Sequence, residues 1–223
     1  MEQQARAQTL QVDIVSDVVC PWCVIGYKQL MKALESLPGL FDVAIRWRPF
    51  ELNPDMPESG QDLREHLARK YGAGATGAQS ARSRLTALGD ELGFRFDYHE
   101  GMRMVNTFRA HQLLHWAYPQ GKQTELKLAL FEAFFSRRED VNDVETLLAV
   151  SGRAGLDAGE ARAVLSDGRC AEPVREEEQF WRNEHDVYAV PTFLFQQQYL
   201  VAGAQEAGTF VRVLQKMHAA SGT

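Results

Sequence analysis

The chain has 223 residues and a formal net charge of −6, with 24 lysine and arginine residues against 30 aspartate and glutamate residues. A general nucleic-acid binder would carry a basic stripe, so the charge excludes that class and nucleic acid is not an expected partner. No window of about 18 apolar residues occurs, so no membrane-spanning helix is expected. Three cysteines are too few for a structural disulfide framework.

The first eight residues are polar and lack the apolar core of a secretory signal. We therefore expect a cytoplasmic protein, which would face a reducing pool of thiols. The length favours a small α/β domain combined with a second, helical domain.

A cysteine pair follows the first predicted strand. Residues 12–16 are β-branched and alternate in polarity, which predicts a strand. Cys20-Pro21-Trp22-Cys23 comes next, and apolar residues then recur at helical spacing from residue 24 to residue 34. Cys20 is thus predicted at a helix N-terminus, where free N–H groups and the helix dipole favour a thiolate. Cys23, one turn later, can close a disulfide with it.

Two other interpretations of this pair remain open, half of a zinc site or two buried cysteines that act as small apolar residues. A zinc site needs further ligands, and the only other cysteine is Cys170, so no metal site is predicted. Cys170 follows a turn-like segment, residues 166–169, and is expected to be exposed there. It is either a non-catalytic cysteine or an auxiliary thiol that exchanges disulfides with the pair.

A second strand is predicted at residues 43–47, and prolines at positions 49, 54 and 57 mark its exit. From residue 62 to residue 185 the pattern predicts helices and no strand. These helices are expected at residues 63–70, 80–92, 107–117, 125–135, 144–152, 158–165 and 173–183, and a last helix at residues 207–218.

Two patterns in the helical region imitate binding motifs. Residues 72–77 spell GxGxxG, but they follow a helix and not a strand, so we interpret Gly72 as a helix C-cap and the rest as a loop. His111 and His115 lie four residues apart on one helix, but no third ligand accompanies them. They are interpreted as structural residues.

A proline precedes the next predicted strand. Residues 192–195 and 199–201 read as two strands joined by a turn of three glutamines. Pro191 has no N–H to donate to a ladder. One solution is a cis bond between Val190 and Pro191, which leaves the backbone groups of Val190 free.

The order of these motifs resembles the thioredoxin-fold pattern, and its details resemble the DsbA-like family, in particular its FrnE-like branch. The segments that carry the resemblance are residues 17–26, 46–54 and 106–111, the pair 190–191, and residues 203–205. The resemblance implies an α/β, thioredoxin-like fold with an inserted all-helical domain. The thioredoxin-like domain would comprise residues 10–58 and 184–223, and the insert residues 59–183.

The resemblance also implies the site residues. Cys20, Cys23 and Pro191 would be catalytic. Residues that contact the substrate would be Pro21, Trp22, Val190, Asn106, Thr107 and His111, the last three in the wall of the cleft. Asn106 and Thr107 are also residue types that cap helices, and both roles are compatible.

The implied activity is thiol–disulfide exchange on protein or small-molecule clients, with no bound cofactor and with glutathione or another thiol as redox partner. An alternative is a glutathione-dependent isomerase of the kappa-transferase and hydroxychromene-carboxylate isomerase group, which would use a serine at the position of Cys20. A third hypothesis is a chaperone-like holdase that would not need the cysteines. Oligomeric state and direction of electron flow do not follow from the sequence.

Overall fold

A four-stranded sheet forms the centre of the fold in a computed structural model, which describes residues 7–71 and 75–221. Its strands are β1 (Gln8–Ser16), β2 (Phe41–Pro49), β5 (Thr192–Phe195) and β6 (Tyr199–Ala202). Their order is β2-β1-β5-β6. β2 runs parallel to β1, whereas β5 is antiparallel to both β1 and β6. Together with the helices, this mixed sheet confirms the predicted α/β thioredoxin-like fold.

Nine helices surround this sheet within the described residues. They are α1 (Pro21–Glu35), α2 (Leu63–Tyr71), α3 (Ala75–Glu91), α4 (Phe108–Ala117), α5 (Gln123–Ser136), α6 (Val144–Arg153), α7 (Ala158–Asp167), α8 (Ala171–Glu184) and α9 (Ala207–Ser221). None of them, over residues 7–71 and 75–221, is long and apolar enough to cross a membrane.

The predicted and observed elements differ in two places. Two strands of two residues each, β3 (Gln61–Asp62) and β4 (Arg103–Met104), pair in the region where no strand was expected. Two residues cannot display an alternating pattern, so the sequence carried no signal for them. The helix expected from residue 80 begins at Ala75, so the predicted loop is wrong for residues 75–77. The predicted cap at Gly72 lies outside the described residues.

The helical segment is fastened to the free edge of β2 through one side-chain amide. The Gln123 amide accepts a hydrogen bond from the Trp47 backbone N–H at 2.8 Å and donates one to its carbonyl at 2.9 Å. The Trp47 indole lies in the core, with its ring centroid 6.0 Å from that of Phe131. The side chain therefore replaces a neighbouring strand at this edge and blocks pairing with another chain. One buried core continues from the sheet into the helices, and the domain boundaries at residues 58 and 183 stay a prediction.

Gly26 lets α1 approach the start of β5 closely. A Cβ at this position would lie 3.0 Å from Pro191 Cγ and 3.0 Å from Phe193 Cζ. Phe193 is fully buried, so its ring has no space into which to retreat. The absence of a side chain at residue 26 thus sets the distance between the cysteine helix and the proline loop.

We expect Gly26→Ala to lower the free energy of unfolding by about 1–2 kcal/mol, because overpacking against Pro191 and Phe193 exceeds the gain in helix propensity. The measurement is urea unfolding followed by circular dichroism. Gly152→Ala in α6 is the matched control, since nothing lies within 4 Å of its added Cβ. The control should be neutral or stabilising, and equal effects of the two substitutions would contradict the packing argument.

Candidate active site

The cysteine pair begins α1. Cys20 is the N-cap residue with extended backbone, and Pro21 is the first helical residue, so both predicted positions are confirmed. The N–H of Cys23 donates a hydrogen bond to the Cys20 carbonyl at 3.1 Å. Cys20 is 3% exposed and Cys23 is fully buried, and both are free thiols here. Cys20 is therefore the sulfur of the pair that an incoming group meets first.

The proline loop faces this helix start. The bond between Val190 and Pro191 is cis, as the sequence suggested. The Cys20 thiol donates a long hydrogen bond to the Val190 carbonyl, with 3.7 Å between Sγ and O. Residues 20, 23, 190 and 191, predicted together as site residues, thus lie together.

An apolar cavity of about 340 Å³ opens beside Cys20. Pro21, Trp22 and Val190 line it, in agreement with their predicted location, while their role toward a substrate stays a prediction. Trp22 is 38% exposed, and the Arg84 guanidinium lies 6.0 Å from its ring centroid. The helical segment supplies the opposite wall through Leu63, Leu67, Leu85, Tyr98, Met102, Met104, Phe134 and Phe135.

Three residues expected in the wall of this cavity do not line it. Asn106 Oδ1 accepts a hydrogen bond from the Phe108 N–H at 2.9 Å, and its amide donates to the Met56 carbonyl at 3.1 Å. Thr107 is the N-cap residue of α4 by position, but its side chain makes no capping hydrogen bond. His111 is buried beneath the cysteine turn. The capping role therefore belongs to Asn106, and α4 buries His111 and Gln112 in the core.

A buried carboxylate lies under the turn that leads to Cys20. Asp17 is fully buried, and its oxygens accept hydrogen bonds from the Leu52 N–H at 2.8 Å and from His111 Nε2 at 3.3 Å. Burial alone would raise the pKa of Asp17, but the His111 hydrogen bond and charge, the Leu52 N–H and the Lys127 charge lower it overall. Asp17 is therefore a negative charge held in the core.

A buried cation accompanies it. Lys127 on α5 is fully buried and donates to the Ser16 carbonyl at 3.3 Å. Its ammonium lies 5.3 Å from the Trp47 ring centroid and 5.0 Å from that of Phe131. Burial lowers the pKa of Lys127 to about 8, and the charges of Cys23, Asp17 and Cys20 oppose that shift. A cation thus faces the thiols from inside the protein.

The pKa values of the two thiols shift in opposite directions. The hydrogen bond to Cys23, followed by burial, raises the pKa of Cys20. The pKa of Cys23 is lowered although burial opposes this, because its interaction with the Cys20 side chain and the Lys127 charge both favour the thiolate. The sequence predicted the thiolate at Cys20 from the helix N-terminus alone. The structure adds the buried Lys127 charge, which faces the pair from inside the protein, and the location of the thiolate at Cys20 stays a prediction.

Cys170 is not close to this pair. It lies at the start of α8, is buried, and lines a different cavity with Arg46, His115 and Trp116. Burial raises its pKa. The expectation of an exposed thiol is wrong, because the residue caps a helix that packs on the core.

His111 and His115 face different carboxylates. His111 pairs with Asp17, whereas His115 Nδ1 lies 3.5 Å from Glu177 Oε2. Over the described ranges, no group of three or more histidine, cysteine, aspartate or glutamate side chains could hold a metal ion.

Sequence reasoning missed Lys127, although a signal existed. It lies one turn before Phe131 and two turns before Phe134, on a helix face whose other buried residues are apolar apart from Gln123. A lone charge at that position indicates a buried functional or structural cation.

Most of the chain matches one protein family. Residues 11–215 match the family model described as a DSBA-like thioredoxin domain. A probable DsbA oxidoreductase from Streptomyces coelicolor is 34% identical, with a TM-score of 0.87 over 93% of this chain and 89% of that one.

Two further structures share the fold at lower identity. A 2-hydroxychromene-2-carboxylate isomerase is 17% identical with a TM-score of 0.66, over 93% of this chain and 95% of that one. The cytosolic disulfide reductase DsbM from Pseudomonas aeruginosa is 17% identical with a TM-score of 0.57, over 94% of this chain and 95% of that one. Since the family model spans both the sheet and the helical segment, this chain belongs to the family of DSBA-like thioredoxin domains.

Proposed function

We propose that this protein is a thiol–disulfide oxidoreductase of the DsbA type that works through Cys20 and Cys23. The observation that carries the proposal is the position of Cys20, which starts α1, lies 3.7 Å from the Val190 carbonyl and borders the apolar cavity. The same chemistry is supported by membership of a family whose members act on disulfides. Membership of the FrnE-like branch is part of the proposal.

The reaction proceeds in two exchanges. Cys20 passes its proton to Cys23, and its thiolate attacks a substrate disulfide, which forms a mixed disulfide and releases one substrate thiolate. Cys23 then loses that proton and attacks Cys20 Sγ, which forms the Cys20–Cys23 bond and releases the second thiolate. Two electrons pass from the enzyme to the substrate. The one proton of the reduced pair neutralises one substrate thiolate, and water supplies the proton for the other. The reverse sequence oxidises a dithiol client.

The surrounding residues orient the substrate and stabilise charge. An extended client would pair with the backbone of Val190, beside Pro191, and place apolar groups against Pro21 and Trp22. Lys127 would stabilise the thiolate of Cys23, and Asp17 would keep Lys127 charged despite its burial. Clients are disulfides or thiols of proteins or small molecules, with glutathione or another thiol as redox partner.

We also propose that the protein works in the cytoplasm, as the description of DsbM states for that protein. A reducing compartment would regenerate the dithiol form, so net reduction or isomerisation of disulfides would follow. Fractionation of the source cells with an antibody against this chain would locate it.

Replacing each cysteine tests the assigned roles. Cys20→Ser should reduce disulfide exchange in glutathione buffers to the uncatalysed rate, because no attacking sulfur remains. Cys23→Ser should accumulate a mixed disulfide, visible as added mass on the intact protein. Cys170→Ser, the matched control, should keep full activity.

The same variants separate the competing functions. Full exchange by Cys20→Ser with loss in Cys23→Ser would show that the roles are reversed. A glutathione-dependent isomerisation that survives Cys23→Ser without dithiol cycling would support the isomerase hypothesis. Client protection that survives both substitutions would support the holdase.

Lys127→Met should raise the pKa of the cysteine pair by about one unit or more, since the cation that faces Cys23 is lost. The potential of the pair should fall by roughly 30 mV for each 1.4 kcal/mol of lost thiolate stabilisation. Thiolate absorbance and equilibration with glutathione measure these quantities. Lys122→Met is the control, because that partly exposed lysine pairs with Glu125.

The same substitution, Lys127→Met, should not lower the folding stability of the protein. The pKa of Lys127 is lowered from 10.5 to about 8, so the unfolded chain holds this proton more tightly and stability rises with pH between those values. At neutral pH the buried charge therefore opposes folding, and Lys127→Met should leave the thermal midpoint unchanged or raise it. A lower midpoint with an unchanged thiol pKa would show a purely structural role.

A further inference from the structure

A second cavity adjoins the proline loop. It has a volume of about 510 Å³, within the range of small-molecule sites, and it shares Leu52 and Val190 with the cavity beside Cys20. Two acidic and two basic side chains line it, namely Glu51, Arg175, Glu178 and Arg182. The exchange reaction proposed above uses none of them.

Glu51 is a buried acid without a partner for its carboxyl group. It is 4% exposed, and its N–H donates to Glu178 Oε1 at 2.7 Å, while its carbonyl accepts from Arg182 at 3.1 Å. The side-chain carboxyl makes no hydrogen bond with any residue that the structure describes. Burial, then the charges of Glu178 and Asp17, raise the pKa of Glu51 to about 8 against the opposing arginines. At neutral pH the group is an O–H donor that borders the cavity.

Arg175 carries a positive charge without an ion-pair partner among the described residues. Its guanidinium lies 4.1 Å from the Phe108 ring centroid, and it forms no ion pair or hydrogen bond across residues 7–71 and 75–221. Arg182, by contrast, donates to Glu178 Oε1 at 2.8 Å. Because the carboxylate of Glu178 is matched by Arg182 and Glu51 is neutral, the charge of Arg175 remains available to a ligand.

We propose that this cavity binds the carboxylate of a low-molecular-weight thiol or disulfide whose sulfur reacts at Cys20. The Arg175 guanidinium pairs with the carboxylate, and the Glu51 hydroxyl donates a hydrogen bond to it. Val190 connects the two cavities, since its carbonyl is the group 3.7 Å from Cys20 Sγ. The inference rests on the proposed exchange function and adds the chemical class of its substrate.

The test compares two disulfides that differ in charge, dithiodipropionate and bis(hydroxyethyl) disulfide. The wild type should have the higher kcat/KM with dithiodipropionate. Arg175→Gln should lower that value roughly tenfold, as expected for a lost charge-assisted hydrogen bond, and leave the neutral disulfide unaffected. Arg175→Lys should restore part of the preference, and Arg212→Gln on α9 is the exposed control.

A pH series tests the role of Glu51. The ratio of the two kcat/KM values cancels the titration of the thiols and of Lys127, which affects both substrates. This ratio should fall as the pH rises through about 8, because ionised Glu51 repels the carboxylate while Arg175 and Arg182 stay protonated. In Glu51→Gln the ratio should be independent of pH, since an amide donates at every pH.

Binding separates this inference from the proposed function. Calorimetry of dithiodipropionate with Cys20→Ser, and with the same variant carrying Arg175→Gln, needs no exchange chemistry. Binding that depends on Arg175 supports the carboxylate site, whether or not the wild type exchanges either disulfide. Failure of the wild type to exchange both disulfides would overturn only the proposed function. The proposed carboxylate site would be contradicted if Arg175→Gln lowered kcat/KM equally for both disulfides. It would also be contradicted if the substitution left the binding of dithiodipropionate unchanged.

Discussion

The antiparallel pairing of β1 with β5 is the constraint on which the site depends. In this register Val15 lies opposite Thr192, so the chain leaving β1 toward Cys20 meets the chain entering β5 from Pro191. No local interaction could join these segments, which are separated by the whole helical region. Gly26 then sets their spacing, because the cysteine helix touches the proline loop without a side chain between them. Backbone pairing and one missing side chain thus position the Cys20 sulfur against the proline loop.

One of the two charges beneath the cysteines opposes folding. Taking the Lys127 ammonium out of water costs several kcal/mol, and its hydrogen bond to the Ser16 carbonyl recovers only part of that cost. Asp17 differs, because the Leu52 N–H, His111 and the Lys127 charge outweigh its burial and lower its pKa. A purely structural core would place apolar residues here. The proposed thiol chemistry would explain the arrangement, because a negative sulfur needs a nearby positive charge.

Those features of the site that depend on local sequence could be predicted. Cys20 and Pro21 follow a strand and begin a helix, and both lie where that pattern places them. Pro191 precedes a short apolar strand, and the cis bond there agrees with the geometry that such a position suggests. Each of these positions is recognisable within about ten residues of chain.

Positions that depend on tertiary packing could not be predicted in the same way. His111 was placed in the cleft, yet α4 turns it toward Asp17 because a buried carboxylate requires a donor. Cys170 was expected at the surface, and its burial depends on how α8 packs. Glu51 lies two residues after the end of β2 and carries no local sign that its carboxyl would be buried. Contacts across the fold, and not spacing along the chain, decide these cases.

β5 is synthesised long after β1, and this order has a consequence for folding during synthesis on the ribosome. At about 5–20 residues per second, the side of β1 that accepts β5 waits roughly ten to thirty-five seconds for its partner to be made. During that interval an unpaired strand edge and a thiol without its proline loop are exposed together in the nascent chain. Protection of both by a chaperone, or by the emerging helices, is therefore a requirement that follows from the topology of the sheet.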